Sequence, residues 1–337
     1  MTTASKTSGV TIFDEMGRQA EDARQSFARN GEVAGKIAAA VRQSGRLILL
    51  GMGGSHAVNR TAEVLYRKAG IDATAVVVSE ALHAPLPTRG ATVLLTSQSG
   101  ESGEIVAYLQ HDAGGETRFG LTLNPESTLA RSVPSLVGHG GIEQAFAATR
   151  SLYVSLTLHA RVLHELGLPH DKVIETATKR EAVPFESAIA PLNSVDAIVF
   201  SGRAEMQGVA EAAALGMMEL ARLPSFAMEG GQLRHGPVEA LGPKLGIVFI
   251  RQATTGTDTT SSLAKVCVDG GSPTIVFDLS GEAPVTGAQS IAFDKCSGIE
   301  AALTVLPTLQ RFIFEVARRR VANVGEPIRS SKVTRET

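Results

Sequence analysis

Two apolar runs, Leu47 to Leu50 and Ile198 to Phe200, lead into glycines at 51 and 202, and a helix-patterned stretch follows each. Apolar runs this short, bounded by glycine, have the length of strands buried on both faces. Such strands need helices above and below their sheet, and the intervening sequence supplies them. Residues 12–43 carry small and apolar residues at helical spacing, with Asn30-Gly31 as a break. Strands are expected at 46–50, 73–78, 92–96 and 119–123, with helices over 56–69 and from near Ser102. A long apolar helix over 147–166 and a second reaching about Leu192 lead to another block. There, strands at 197–200, 246–250 and 274–277 alternate with helices at 206–223 and 299–322. This alternation implies crossover connections and a mostly parallel sheet. The second block repeats the first: Val93–Gln98 answers to Val248–Gln252, and the loop Ser99–Gly103 answers to Thr254–Thr260. The expected class is α/β, with two doubly wound parallel-sheet domains related by duplication, and 337 residues leave room for two cores.

Charge and cysteine usage exclude several roles. The formal charge is −2 and no basic run is longer than Arg318–Arg320, so no nucleic-acid surface is expected. Cys267 and Cys296 are the only cysteines, too few for a disulfide framework or a zinc site, and two buried thiols are expected. Met1–Val10 is polar and lacks a signal core, and the longest apolar runs are too short to span a bilayer. The expectation is a cytoplasmic protein with no membrane partner. Nothing demands a metal, and no cofactor is expected.

In open α/β sheets, ligands bind at the carboxyl ends of the strands. Ser97, Gln98, Ser99 and Ser102 fall there, on a turn where Gly100 lets a ligand approach the backbone. The helix that follows adds unpaired N–H groups and its positive dipole end, so a phosphate is the expected guest. Ser55, after Gly53-Gly54, adds a hydroxyl at a neighbouring helix start. The competing reading makes Ser99 or Ser102 an ordinary helix cap. A dinucleotide fingerprint begins at Gly51 and Gly53 but has His56 in the sixth position, with Glu80 as the candidate ribose acid. No phosphate-binding P-loop occurs.

The Ser97–Ser102 loop, taken with Leu233-Arg234-His235-Gly236-Pro237-Val238, resembles the sugar isomerase (SIS) domain family. The likeness runs over residues 35–337 and is greatest to the double-SIS form, found in the isomerase half of glutamine-dependent glucosamine-6-phosphate synthase and in single-chain glucosamine-6-phosphate deaminases. It implies flavodoxin-like domains and this division: an N-terminal helical segment 1–34, a sugar-phosphate-binding SIS domain 35–168, a second SIS domain 169–322, and a tail 323–337 over the active site. It assigns the phosphate to Ser55, Ser97, Gln98, Ser99 and Ser102, with Gly53, Gly54, Ala147 and Thr149 as further substrate contacts. The family's catalytic carboxylate, sixteen residues before the histidine, falls on Glu219. His235 would reach the partner subunit's site, which implies a homodimer, and Lys332, five residues after Pro327, would be the tail lysine.

These roles are chemically coherent. One carboxylate moves a proton between C1 and C2 of an open-chain sugar, His235 opens the ring, and Lys332 stabilises an oxyanion or forms an imine. The resemblance thus implies a phosphosugar aldose–ketose isomerase or deaminase turning glucosamine 6-phosphate into fructose 6-phosphate and ammonia. Its rivals are a deglycase of phosphorylated fructose–amino acid adducts and a non-catalytic phosphosugar sensor. The chain departs from the synthase pattern at Gly216, where a lysine is usual, at Ala148, where a serine is usual, and at Arg150, which keeps its counterpart's charge. Glu229 is a fallback carboxylate. His56 and His83 lie near the expected site, whereas His159 and His164 read as core or rim residues and the Met217-Met218 pair as core.

Overall fold

The computed structural model describes residues 9–111, 114–254 and 259–334. The chain divides into two units, one reaching Lys179 and taking in the tail from Pro327, the other running from Arg180 to Glu326. The first unit opens with α1 (Gly9–Arg29) and α2 (Gly31–Ser44), broken at Asn30 as the sequence suggests. There follow β1 (Arg46–Gly51), α3 (Gly53–Lys68), β2 (Asp72–Val77), α4 (Val78–His83), β3 (Thr92–Thr96), α5 (Gly103–Gln110), β4 (Thr117–Thr122), α6 (Thr128–Ser132) and β5 (Ser135–Val137). Helices α7 (Arg150–Glu165) and α8 (Asp171–Lys179) complete it. The second unit contains β6 (Ala197–Gly202), α9 (Glu205–Ala221), β7 (Ser225–Ala227), α10 (Gly230–Arg234), β8 (Leu245–Gln252), α11 (Thr260–Asp269), β9 (Thr274–Leu279), β10 (Gln289–Ala292) and α12 (Gly298–Arg318).

Each unit has one five-stranded sheet, ordered β2-β1-β3-β4-β5 in the first and β10-β9-β8-β6-β7 in the second. Every strand pair is parallel. Read from its other edge, the second order is the first one repeated, which is the duplication the sequence implies. The registers match as well. Gly51 pairs with Thr96 and Gly202 with Ile250, and two residues beyond each partner stand Gln98 and Gln252. Of the second copy's Thr254–Thr260 loop, residues 255–258 lie outside the described residues.

The strands are apolar on both faces because helices cover both. Ile48, Leu50, Val93 and Leu95 pack with Ile105 and Tyr108 of α5 on one side of the first sheet. Ile247, Phe249 and Val276 pack with Leu263 of α11 in the second. Both cysteines are buried free thiols. Among the described residues, no helix is long and apolar enough to cross a membrane.

Two sequence expectations need correction. The helix expected to reach Leu192 ends at Lys179, and only single helical turns occur at Glu186–Ala188 and Ala190–Leu192. Pro184 and Pro191 withhold the N–H groups a continuous helix would need. The Met217-Met218 pair is only half core: Met217 is buried, but Met218, one residue on around α9, faces outward.

Candidate functional site

The first sheet reverses its strand order between β1 and β3, and the loops leaving those two strands meet the helix starts of α3 and α5. Ser97 and Ser99 are buried, and Ser97 Oγ lies 3.3 Å from Ser102 Oγ. The loop is held by its own backbone. Gly100 N–H donates to Ser97 Oγ at 3.1 Å, Glu101 N–H to Ser99 Oγ at 3.2 Å, and Leu123 N–H to Gln98 O at 3.0 Å. Glu101 turns away and accepts from Thr128 N–H and Oγ1. Gly100 has φ +66°, and a Cβ there would stand 2.3 Å from Ser127 Oγ, so only glycine fits.

Ser102 occupies the N-cap position of α5, yet its side chain makes no capping bond. Its hydroxyl turns toward Ser97 instead, against the cap reading. The first turn of α5 therefore retains amide donors, apart from Gly103 N–H, which donates to Thr334 O of the tail at 3.1 Å. Ser55 lies in the first turn of α3, whose N-cap, Met52, has no side chain to offer. Three buried side-chain nitrogens near these strand ends find no partner among the described residues: Gln98 Nε2, His56 Nδ1 and Asn59 Nδ2. Burial, with the Arg60 charge in support, pushes the His56 imidazole down to about 4, so at neutral pH it carries no charge. A wall of donors with spare capacity suits an oxyanion.

A second cluster, in the same unit, forms around a residue the sequence reading passed over. Glu143 is fully buried in the loop between β5 and α7. Its Oε1 accepts from Thr149 N–H (2.9 Å), Thr149 Oγ1 (2.8 Å) and Arg150 N–H (2.8 Å). Its Oε2 accepts from Ser151 Oγ at 2.5 Å and Lys332 Nζ at 3.3 Å. Burial would raise its pKa, but the Lys332 charge and the Ser151 and Thr149 bonds outweigh that and hold the carboxyl below its ordinary range. Lys332 also donates to Phe146 O at 3.3 Å. Ala147 and Thr149 are buried, the Thr149 hydroxyl is engaged by Glu143, and Ala148 packs against Gly54: a Cβ on Gly54 would lie 3.4 Å from that of Ala148. The loop 147–149, the start of α3 and the tail lysine thus belong to one unit. Arg150 is fully buried and turned toward α1, bonding Glu15 and Asp22.

The remaining candidates lie in the second unit. Glu219 is half-buried in the last turn of α9, and His235 is exposed just after α10. The fallback Glu229 is the N-cap of α10. Its Oε2 accepts from Gly231 N–H (2.6 Å) and Gln232 N–H (3.1 Å), and it pairs with Arg203 at 3.5 Å. A carboxylate so occupied is a structural group. Glu80 and His83 are exposed on α4, and His159 is core. Among the described residues, no group of His, Cys, Asp or Glu is arranged to hold a metal ion.

No protein-family model matches the chain. Over 270 residues it is 25% identical to the isomerising glutamine–fructose-6-phosphate aminotransferase of Zymomonas mobilis, covering 72% of this chain and 44% of that protein. The chain spans less than half the length of the curated relatives it matches. In fold it is similar to the C-terminal domain of glucosamine-fructose-6-phosphate aminotransferase from Francisella tularensis, with a TM-score of 0.81, 17% identity, and 94% and 98% of the two chains covered. It is also similar to glucosamine-6-phosphate deaminase from Thermotoga maritima, with a TM-score of 0.76, 18% identity, and 96% and 99% covered. The duplicated sheets, the serine loop at the first switch point and these relatives agree: in fold and in sequence the chain is similar to sugar isomerase (SIS) domain proteins.

Proposed function

We propose that this protein is a phosphosugar aldose–ketose isomerase or deaminase acting on an amino-sugar 6-phosphate, converting glucosamine 6-phosphate to fructose 6-phosphate and ammonia. The observation that carries the reading is Ser102, a serine in a capping position whose hydroxyl does not cap but joins Ser97 beside open helix amides. That arrangement suits a phosphate dianion. Ser55, Ser97, Gln98, Ser99 and Ser102 bind it in this proposal, with Gly53 and Gly54 leaving room for the sugar.

The resemblance gives the chemistry to Glu219, His235 and Lys332. His235 opens the sugar ring by proton transfer between O5 and O1. Glu219 takes the proton from C2, leaving an enolamine, and returns it at C1, giving the imine of fructose 6-phosphate. Water adds at C2, and ammonia leaves. Lys332, one half of an ion pair, brings positive charge to the oxygen on which negative charge builds. His235 acts across a homodimer interface in this scheme, which sedimentation velocity checks directly.

A deglycase of phosphorylated fructose–amino acid adducts is the second reading. It draws on the missing side chain at Gly216, where an added Cβ would make ordinary contact with Ile313 at 3.8 Å. The test is ammonia and fructose 6-phosphate release from glucosamine 6-phosphate, with Glu219→Gln as control. Release that disappears in the variant supports the deaminase. Release only from a fructose–amino acid phosphate moves the assignment to the deglycase, and ligand binding without any turnover moves it to a sensor.

A further inference from the structure

The loop 138–149 that carries Glu143 has no regular secondary structure, and glycines at 138, 140 and 141 leave it little stiffness of its own. Its conformation is imposed by one face of α1. Five positions at helical spacing meet the loop in order along its length. Asn30, just past the helix end, accepts from Val137 N–H at 2.8 Å and donates to Val137 O at 3.0 Å. Ser26 Oγ accepts from His139 N–H at 2.8 Å. Asp22 lies so close to Gly140, which has φ +87°, that a Cβ there would be 2.1 Å from Oδ2. Arg18 donates to Gly140 O, and Glu15 Oε1 accepts from Gln144 N–H at 2.8 Å.

Arg150 fastens the far end. Its side chain is fully buried and bonds both α1 and this loop: Nε to Glu15 Oε2 (2.5 Å), Nη1 to Asp22 Oδ2 (3.2 Å) and His139 O (3.2 Å), Nη2 to Gly141 O (2.8 Å). A buried guanidinium with two carboxylates and two carbonyls has a single satisfactory geometry. Lys332 in turn bonds Glu143 and Phe146, both in the loop. Whatever fixes the loop therefore fixes the ammonium group.

We propose that Glu15 and Asp22 of α1 are positioning residues for Lys332: through Arg150 and the loop amides they hold Glu143, and Glu143 holds the tail lysine. This rests on the role given to Lys332 in the proposed reaction, and neither acidic residue touches the sugar.

The test uses the full chain carrying Glu15→Gln and Asp22→Asn, which keep shape and remove charge. Lys332 acetylation by an amine-acylating reagent is followed by mass spectrometry, with exposed Lys265 as internal reference. The double variant should label Lys332 about tenfold faster than the unaltered chain, matching Glu143→Gln, since a charge-assisted bond has been loosened. Deamination should lose about tenfold in kcat with KM unchanged, because Glu15 and Asp22 bond none of the serines assigned to the phosphate. Ala23→Gly, at a fully buried position on the same helix, is the control for plain destabilisation and should leave Lys332 protected. Labelling unchanged in the double variant, or accelerated equally by Ala23→Gly, overturns the proposal. Labelling is read without turnover, so a chain that fails to deaminate glucosamine 6-phosphate overturns the proposed function while the positioning claim is judged separately.

Discussion

A serine at a helix start ordinarily accepts a bond from the second or third amide of the helix. Ser127 does this for α6, accepting from Ala130 N–H at 3.1 Å, whereas Ser102 makes no such bond for α5. The two serines therefore predict opposite outcomes. Ser127→Ala should cost ~1 kcal/mol in urea unfolding. Ser102→Ala should leave stability within ~0.5 kcal/mol and weaken phosphosugar binding about tenfold, as measured by calorimetry. Gly100→Ala should damage both stability and binding, since its backbone is left-handed and its Cβ would strike Ser127. The serine loop was legible in the sequence because its donors crowd into six consecutive positions. Glu143 was not, because its partner Lys332 stands 189 residues away and its other donors meet it only once loop 138–149 is folded. Arg150 shows the same limit from the other side. Its charge was plain, but its partners Glu15 and Asp22 are set by the packing of α1 on α7.

Among the elements, the long ones were readable and the short ones were not. β1, β3, β6 and β8 carry continuous apolar runs because both faces are covered, and α3, α7, α9 and α12 fill whole helical turns. β5, β7 and β10, of three or four residues, carry too few side chains to show a period and owe their form to the neighbouring strand. Packing between α3 and α7 gives a pH prediction. His159 of α7 is fully buried with Nδ1 3.2 Å from Tyr66 Oη of α3, and burial pushes its imidazole down to about 3. The folded state holds it neutral while the unfolded chain takes up a proton below about 6.5, so stability present at neutral pH is lost as pH falls through that window. His56, pushed down to about 4, acts in the same direction. Moving from pH 7 to pH 5 should cost on the order of 2 kcal/mol through His159 alone. His159→Gln should shrink that loss in urea titrations at the two pH values. An unchanged loss would show that the imidazole is already protonated in the fold.

Across the whole molecule, the two copies of one plan have diverged at equivalent positions. Gln252 is fully engaged, with Nε2 donating to Glu205 at 2.7 Å and Oε1 accepting from Gly298 N–H at 2.8 Å. Its counterpart Gln98 has a buried Nε2 with no partner among the described residues. Arg251 beside it is buried on Asp278 at 3.3 Å, where the first copy has the serine loop. The second copy engages its glutamine in structure and the first leaves Gln98 Nε2 unengaged, which supports the phosphate reading for the first. The repeat itself was legible from the glycine-ended strands, but this asymmetry was not, because it depends on what each glutamine meets. The tail follows the second unit in sequence yet packs with the first, through Lys332 on Glu143 and Thr334 on Gly103. Ending the chain at Glu326 should therefore leave both sheets folded by circular dichroism, keep phosphosugar affinity within about threefold, and abolish turnover. Calorimetric titration of the full chain with glucosamine 6-phosphate and with glucosamine should show binding that needs the phosphate and weakens in Ser102→Ala. Equal affinity for the two sugars, or a Ser102→Ala variant that binds like the unaltered chain, would contradict the phosphate reading.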